Sequence, residues 1–220
     1  MSRLIDLSLP VVDGGGRLGI QTKFEIVYSF EKEGWQGSVF RMFAHMGTHV
    51  DAPLHFLRGG ESVDRVAPER ICGRGVLFDL SGKQGSEAIT DADLEAQDQD
   101  NELREGDIAI LRTDWTDKHW GTPKFFGDSP YLTPEAANWL VRKKVKAIVY
   151  DFAEEYVVRK PGFTGPECVI HHIVMGNGIY NIEYVTNLRA ITKRVVTIMA
   201  LPLKLVGVDA APARVIAIEE

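Results

Sequence analysis

The sequence predicts an α/β fold built on a mixed sheet, or on two sheets. Three observations carry this expectation. Short β-branched runs bounded by Gly, Pro or Asp recur along the 220 residues. Three segments carry helix-start signals. One of those helices, over 133–144, leads through a short connection into the apolar run 147–151, an αβ step.

In chain order, strands are expected at 4–9, 24–30, 39–44, 75–80, 107–111, 147–151, 179–182, 195–201 and 215–218. The run 147–150 is continuously apolar, as a strand covered on both faces is. Thr90 opens the first, rather polar, helix. Thr133 and Pro134 supply an N-cap and a first-turn proline for the second, which ends in Arg142-Lys143-Lys144, where cations suit the helix dipole. Pro166-Glu167 opens the third, and Gly176 is its expected stop. Gly14-Gly15-Gly16 lacks a following Lys-Ser/Thr and reads as a turn rather than a phosphate loop. No repeat, low-complexity tract or linker interrupts the chain, so one domain over 1–220 is expected.

Bulk properties exclude some functions. A formal charge of −6 gives no general affinity for nucleic acid. No run approaches the roughly 20 apolar residues of a membrane span, and Met1-Ser2-Arg3-Leu4 opens no secretory leader. A cytoplasmic location without membrane partners is therefore expected. Cys72 and Cys168 are too few for a disulfide framework, and buried, inert thiols are expected.

The chemistry concentrates in His45-Met46-Gly47-Thr48-His49-Val50-Asp51-Ala52-Pro53-Leu54-His55. Imidazoles and a carboxylate at this density suit zinc, manganese or iron. A straight strand would hold His45 and His49 about 13 Å apart, too far to share an ion. A helix would rotate Asp51 off their face, and Pro53 disfavours one. A strand end bent at Gly47 lets His45, His49 and Asp51 converge, with His55 approaching past Pro53. Thr48 is expected to orient a ligand through its hydroxyl. A second source of ligands is needed. The helix after Pro166 carries His171 and His172, about 100° apart around its axis, so one faces the site. Apolar residues flank both, and periodicity does not choose. Glu183, closing the run 179–182, is a further candidate. His119 matches no metal spacing and reads as a surface or pocket-rim residue. Trp35, Phe56 and Trp115 are candidate walls of an aromatic pocket.

His45 to Phe56 resembles the H-x-G-T-H-x-D-x-P-x-H-F signature of the cyclase family, which includes bacterial kynurenine formamidases and isatin hydrolases. Leu4 to Ser8, Ile110 to Trp115, Ile182 to Leu188, Ala200 to Lys204 and Ala211 to Arg214 extend the likeness over nearly the whole chain. The resemblance implies a swivelling β/β/α cyclase-like fold with a mixed sheet, in a homodimer or higher homo-oligomer. It implies metal ligation by His45, His49 and Asp51, with Asp51 bridging two zinc ions. It chooses His171 over His172, because Glu183 then follows at the family's spacing, and it makes His55 the acid/base residue. One or two Zn2+, or Mn2+ instead, would serve an arylformamidase-like hydrolase taking a small aromatic substrate. Isatin-type lactam hydrolysis, lactonase or cyclase activity are the enzymatic alternatives, and a silent metal-binding scaffold is the other. Glu183 stands where isatin hydrolases carry Gln. Asp114 and the segment 151–156 depart from the family's pattern and are expected to border the substrate pocket.

Overall fold

The computed structural model describes residues 2–220. The longer strands are β1 (Arg3–Asp6), β2 (Lys23–Tyr28), β3 (Gly37–Arg41), β4 (His49–Asp51), β5 (Cys72–Asp79), β6 (Ile108–Arg112), β7 (Ala147–Tyr150), β8 (Tyr180–Glu183), β9 (Val195–Pro202) and β10 (Ala210–Glu219). The longer helices are α1 (Asp91–Gln97), α2 (Pro134–Arg142) and α3 (Val169–Gly176).

Seven strands close into a mixed barrel in the order β4, β10, β9, β5, β6, β7, β8 and back to β4. The run β5 to β8 is parallel, and the other pairings are antiparallel. β10 ties the barrel together. Its start pairs with β4, its middle and end with β9, and its last residues also with β1. That start lies well before the expected 215–218, because Ala210-Ala211-Pro212 has little strand propensity and is extended by pairing with β4.

Alternation along the parallel strands fills two cores. Leu77, Ile110, Val149 and Ile182 point inward and meet Val50, Ile198 and Val215 inside the barrel. Phe78, Leu111, Ile148 and Tyr150 point outward under Leu94, Leu140 and Val174 of the three helices. The expected caps form. Thr90 and Asp93 make a reciprocal capping box on α1, and Thr133 accepts the Ala136 N–H at 3.2 Å on α2. α3 runs through Gly176, and Gly178, at φ +73°, turns the chain into β8. No described helix is long and apolar enough to cross a membrane.

β2 and β3 form a hairpin outside the barrel. Phe24, Ile26, Tyr28, Trp35, Val39 and Phe40 on it are all exposed. Trp35 packs on Tyr28 there, so it is not a pocket wall as expected.

Candidate metal centre

Two barrel strands and a covering helix meet at the end where β4 begins. The chain enters through a turn at 44–48, where Gly47 holds φ +69°. That bend brings the His45 and His49 rings to 5.0 Å between centroids, instead of the separation a straight strand imposes. β4 then points His49 and Asp51 outward, opposite to the inward Val50 and beneath α3, where both are 0% exposed. β8, antiparallel to β4, sets Glu183 opposite His49. α3 delivers His171, buried, while His172 stays exposed and bonds the Gly165 carbonyl at 3.1 Å.

The inner nitrogens of three imidazoles converge on Asp51. His45 Nδ1 and His49 Nε2 lie 2.8 and 3.2 Å from its Oδ1, and His171 Nε2 lies 3.6 Å from its Oδ2. Glu183 closes the group, 3.6 Å from His49 and 3.2 Å from His171. Each outer nitrogen faces an acceptor. His45 Nε2 donates to Asp209 at 2.8 Å, His49 Nδ1 to the Gly47 carbonyl at 2.8 Å, and His171 Nδ1 to Glu155 at 3.1 Å, with Glu154 at 3.0 Å. With the outer N–H fixed in this way, the inner nitrogen presents its lone pair inward, as a metal ligand does.

Asp51 tests whether a metal fits. Both its oxygens are fully buried and neither has a partner in hydrogen-bond geometry, although ring nitrogens crowd them. An orphaned buried carboxylate is costly unless a cation satisfies it. His45, His49 and Asp51 bring ligand atoms within 4.8 Å of one another, as do Glu154, His171 and Glu183. The nitrogen and carboxylate donors suit zinc or manganese. The surroundings already attract positive charge. Burial would depress the His45 imidazole, but Asp51 and then Asp209 outweigh it and raise it to about 9. Burial, then the charge of Glu183, pushes Glu154 up to about 7.

His55 lies beside this group, with a ring nitrogen within 4.8 Å of ligand atoms of Asp51 and His171. It is half-buried on the 3-10 turn Pro53–His55, with its ring 3.9 Å from that of His45. Its Nδ1 lies 3.2 Å from Asp209 Oδ2, the oxygen that also takes His45. Hydrogen bonds from His45 and then His55 hold the Asp209 carboxyl well below the usual carboxylate range.

The group opens on a cavity of about 490 Å3 lined by His55, Phe56, Phe43, Val158, Phe163 and Arg17, among others. Phe56 is the expected aromatic wall, stacked on His171 at 4.4 Å. Trp115 is instead buried in the outer core, where its Nε1 donates to the Phe125 carbonyl at 3.1 Å. Of the two divergent segments, 151–156 borders the cavity through Ala153, Glu154 and Glu155. Asp114 does not. It caps a short helix at φ +60°, pairs with Arg112 and donates its N–H to Asp151 at 2.7 Å. His119 lies off this cavity, its ring tilted against that of Trp115 with centroids 4.1 Å apart. Thr48 does not touch a ligand side chain as expected. Its hydroxyl donates to the Tyr184 carbonyl at 2.8 Å and accepts the Leu9 N–H at 2.9 Å, holding the turn to the residue after Glu183.

Asp209 and Tyr150 escaped the sequence expectations, and Glu154 and Glu155, expected only as part of a segment bordering the pocket, also hold His171. Tyr150 donates to Glu183 Oε1 at 2.7 Å from the adjacent strand β7. Tyr150→Phe should therefore keep the fold and lower metal affinity about 10–100-fold. Competition with a fluorescent chelator measures this, and unchanged affinity would show that the phenol does not position Glu183.

A family model described as putative cyclase matches residues 5–154, well over half of the chain. The chain belongs to the cyclase family. Among cyclase-family relatives, a kynurenine formamidase of Bacillus cytotoxicus is 29% identical, covering 98% of this chain and 97% of that protein. A solved structure described as a potential metal-dependent hydrolase with cyclase activity superposes with TM-score 0.78 at 25% identity, covering 100% of this chain and 99% of the other. Isatin hydrolase A from Ralstonia solanacearum superposes with TM-score 0.82 at 25% identity, covering 100% and 92%. These relatives are hydrolases by name, which supports hydrolase activity for this cyclase-family chain.

Proposed function

We propose that the chain is a metal-dependent hydrolase of an aromatic formamide, of the arylformamidase type that converts N-formylkynurenine to kynurenine and formate. The observation that carries this reading is the convergence of three oriented imidazoles on the orphaned Asp51 carboxylate at the wall of an apolar cavity. In this reading His45, His49, Asp51, His171 and Glu183 hold one or two divalent ions, Zn2+ or Mn2+. The two oxygens of Asp51 face different imidazoles. A divalent ion held by these residues would supply Lewis acidity toward the substrate carbonyl and a water of lowered pKa, toward about 7.

The chain's own residues supply the rest. His55, with Nδ1 held by Asp209, has Nε2 free to take a proton from the attacking water. As the carbon–nitrogen bond breaks, it returns that proton to the departing arylamine, leaving formate. Glu154 and Glu155 fix the His171 ring. Phe43, Phe56 and Phe163 take the aromatic ring and keep bulk water away. A half-buried His55 at the cavity wall, with its Nδ1 on Asp209, speaks against a silent scaffold, since a purely structural site is closed.

Rates on N-formylkynurenine and isatin, with each metal, test this. Formamide turnover at least tenfold faster sustains the reading. The reverse preference moves the chain to lactam hydrolysis, which the TM-score of 0.82 to isatin hydrolase A keeps in view. Bound metal without turnover on any formamide, lactam, lactone or ester leaves the scaffold.

We also propose one domain over 1–220 and a homo-oligomer. Support for the oligomer comes from the β2–β3 hairpin, which exposes Phe24, Ile26, Tyr28, Trp35, Val39 and Phe40. A lone two-stranded hairpin is marginal in water. Trp35→Ser combined with Phe40→Ser should shift the sedimenting species to a monomer, and a wild-type monomer would refute the arrangement.

A further inference from the structure

We propose that Arg17 binds a carboxylate on the substrate, so that the enzyme takes aromatic amides with an anionic side arm in preference to neutral anilides. The proposal rests on the hydrolase reading above.

Arg17 sits in a two-residue ribbon, Gly16–Arg17 against Ile20–Gln21, and reaches over to line the cavity. Its guanidinium lies 4.8 Å from the centroid of Phe126 and 5.0 Å from that of Tyr184. Aromatic faces orient a planar guanidinium without using its N–H donors. Its one hydrogen bond to the described residues is long, 3.5 Å to the His45 carbonyl. No described carboxylate lies within ion-pair distance of it. Four other partly buried cations are paired, Arg74 with Asp107, Arg112 with Asp114, Lys83 with Asp93 and Lys143 with Asp98, while Lys146 and Arg159 give their donors to backbone carbonyls, as Arg17 barely does. The buried acids Glu183, Glu154 and Asp51 favour its charge from a distance, but none takes its N–H donors, which a ligand carboxylate can take through two parallel hydrogen bonds.

The position sets the geometry of the substrate. The guanidinium touches the backbone of His45 and the ring of Tyr184, which follows Glu183. An anionic group held there lies within one small molecule's length of the proposed metal site. Elsewhere the wall carries Glu154, Glu155 and Glu183, which repel an anion. Arg17 is thus the place along this wall where a side-arm carboxylate is welcome. A rival role, balancing the charge of those acids, makes a different prediction.

The test compares N-formylkynurenine with its neutral analogue N-formyl-2-aminoacetophenone, on wild type, Arg17→Met and Arg17→Lys, with metal content measured on each. Expected for Arg17→Met is a KM for the carboxylated substrate raised about 30-fold, or some 2 kcal/mol. Its kcat, its metal content and the neutral substrate should stay within threefold, and Arg17→Lys should recover part of the loss. Equal losses on both substrates, or loss of metal, would assign Arg17 to charge balance and overturn the proposal. If wild type turns over neither compound, the formamidase reading fails and calorimetry decides Arg17 separately. Binding of 4-oxo-4-phenylbutanoate at least tenfold weaker to Arg17→Met, with butyrophenone unchanged, sustains the subsite. Equal binding overturns it.

Discussion

Asp51→Asn is expected to fold, to bind no stoichiometric metal and to lose about a thousandfold in kcat/KM. Asp51 is the group on which His45, His49 and His171 all converge, and it is completely buried. An amide has nearly the same shape but supplies no negative charge and only one acceptor oxygen. Losing the ion removes several kcal/mol of charge stabilisation in the transition state, and about 4 kcal/mol is a thousandfold. Stability should report the same event. With metal at 1,000 times its Kd, binding adds about 4 kcal/mol to the folded state. Chelation should then lower the wild-type Tm by about 8–16 °C for a chain of this size. The Asp51→Asn variant should show no chelator-dependent shift. Elemental analysis and thermal scans with and without chelator check both arms. A variant that keeps stoichiometric metal would refute the role of Asp51.

His55→Ala should separate proton transfer from ligation. His55 is half-buried at the cavity wall, and Asp209 takes its Nδ1 side. The expected loss is about 10²–10⁴ in kcat, the range for a positioned general acid/base, with metal content unchanged. Asp209→Asn should show a smaller kcat defect, because the imidazole remains but its orientation slackens. Loss of metal from His55→Ala would instead make it a ligand, since it also lies close to Asp51 and His171.

Much of the site was legible because its core is local. His45, His49 and Asp51 fall within seven residues, and strand geometry alone demanded a bend, which Gly47 provides at φ +69°. The choice between His171 and His172 was not legible from periodicity. Apolar residues flank both, and only the packing of α3 through Ile170, Val174 and Met175 buries the first. Asp209 was hidden by a misplaced strand. With a strand expected only from Val215, nothing in the sequence marks the carboxylate at 209, which directly precedes Ala210, where pairing with β4 begins. Tyr150 was legible as a strand residue but not as the partner of Glu183, because strand order is not written in either segment. Trp115 and Trp35 show the converse error. Aromatic character alone cannot tell a pocket wall from the outer core, where Trp115 packs, or from a projecting hairpin, where Trp35 is exposed.

The assignment of ligands is tested most directly by anomalous diffraction from crystals of the native metal-loaded protein. One or two anomalous peaks are expected about 2.0–2.2 Å from donor atoms of His45, His49, Asp51, His171 and Glu183. A peak held by His45, His55 and Asp209 instead, or no peak at all, would contradict the account.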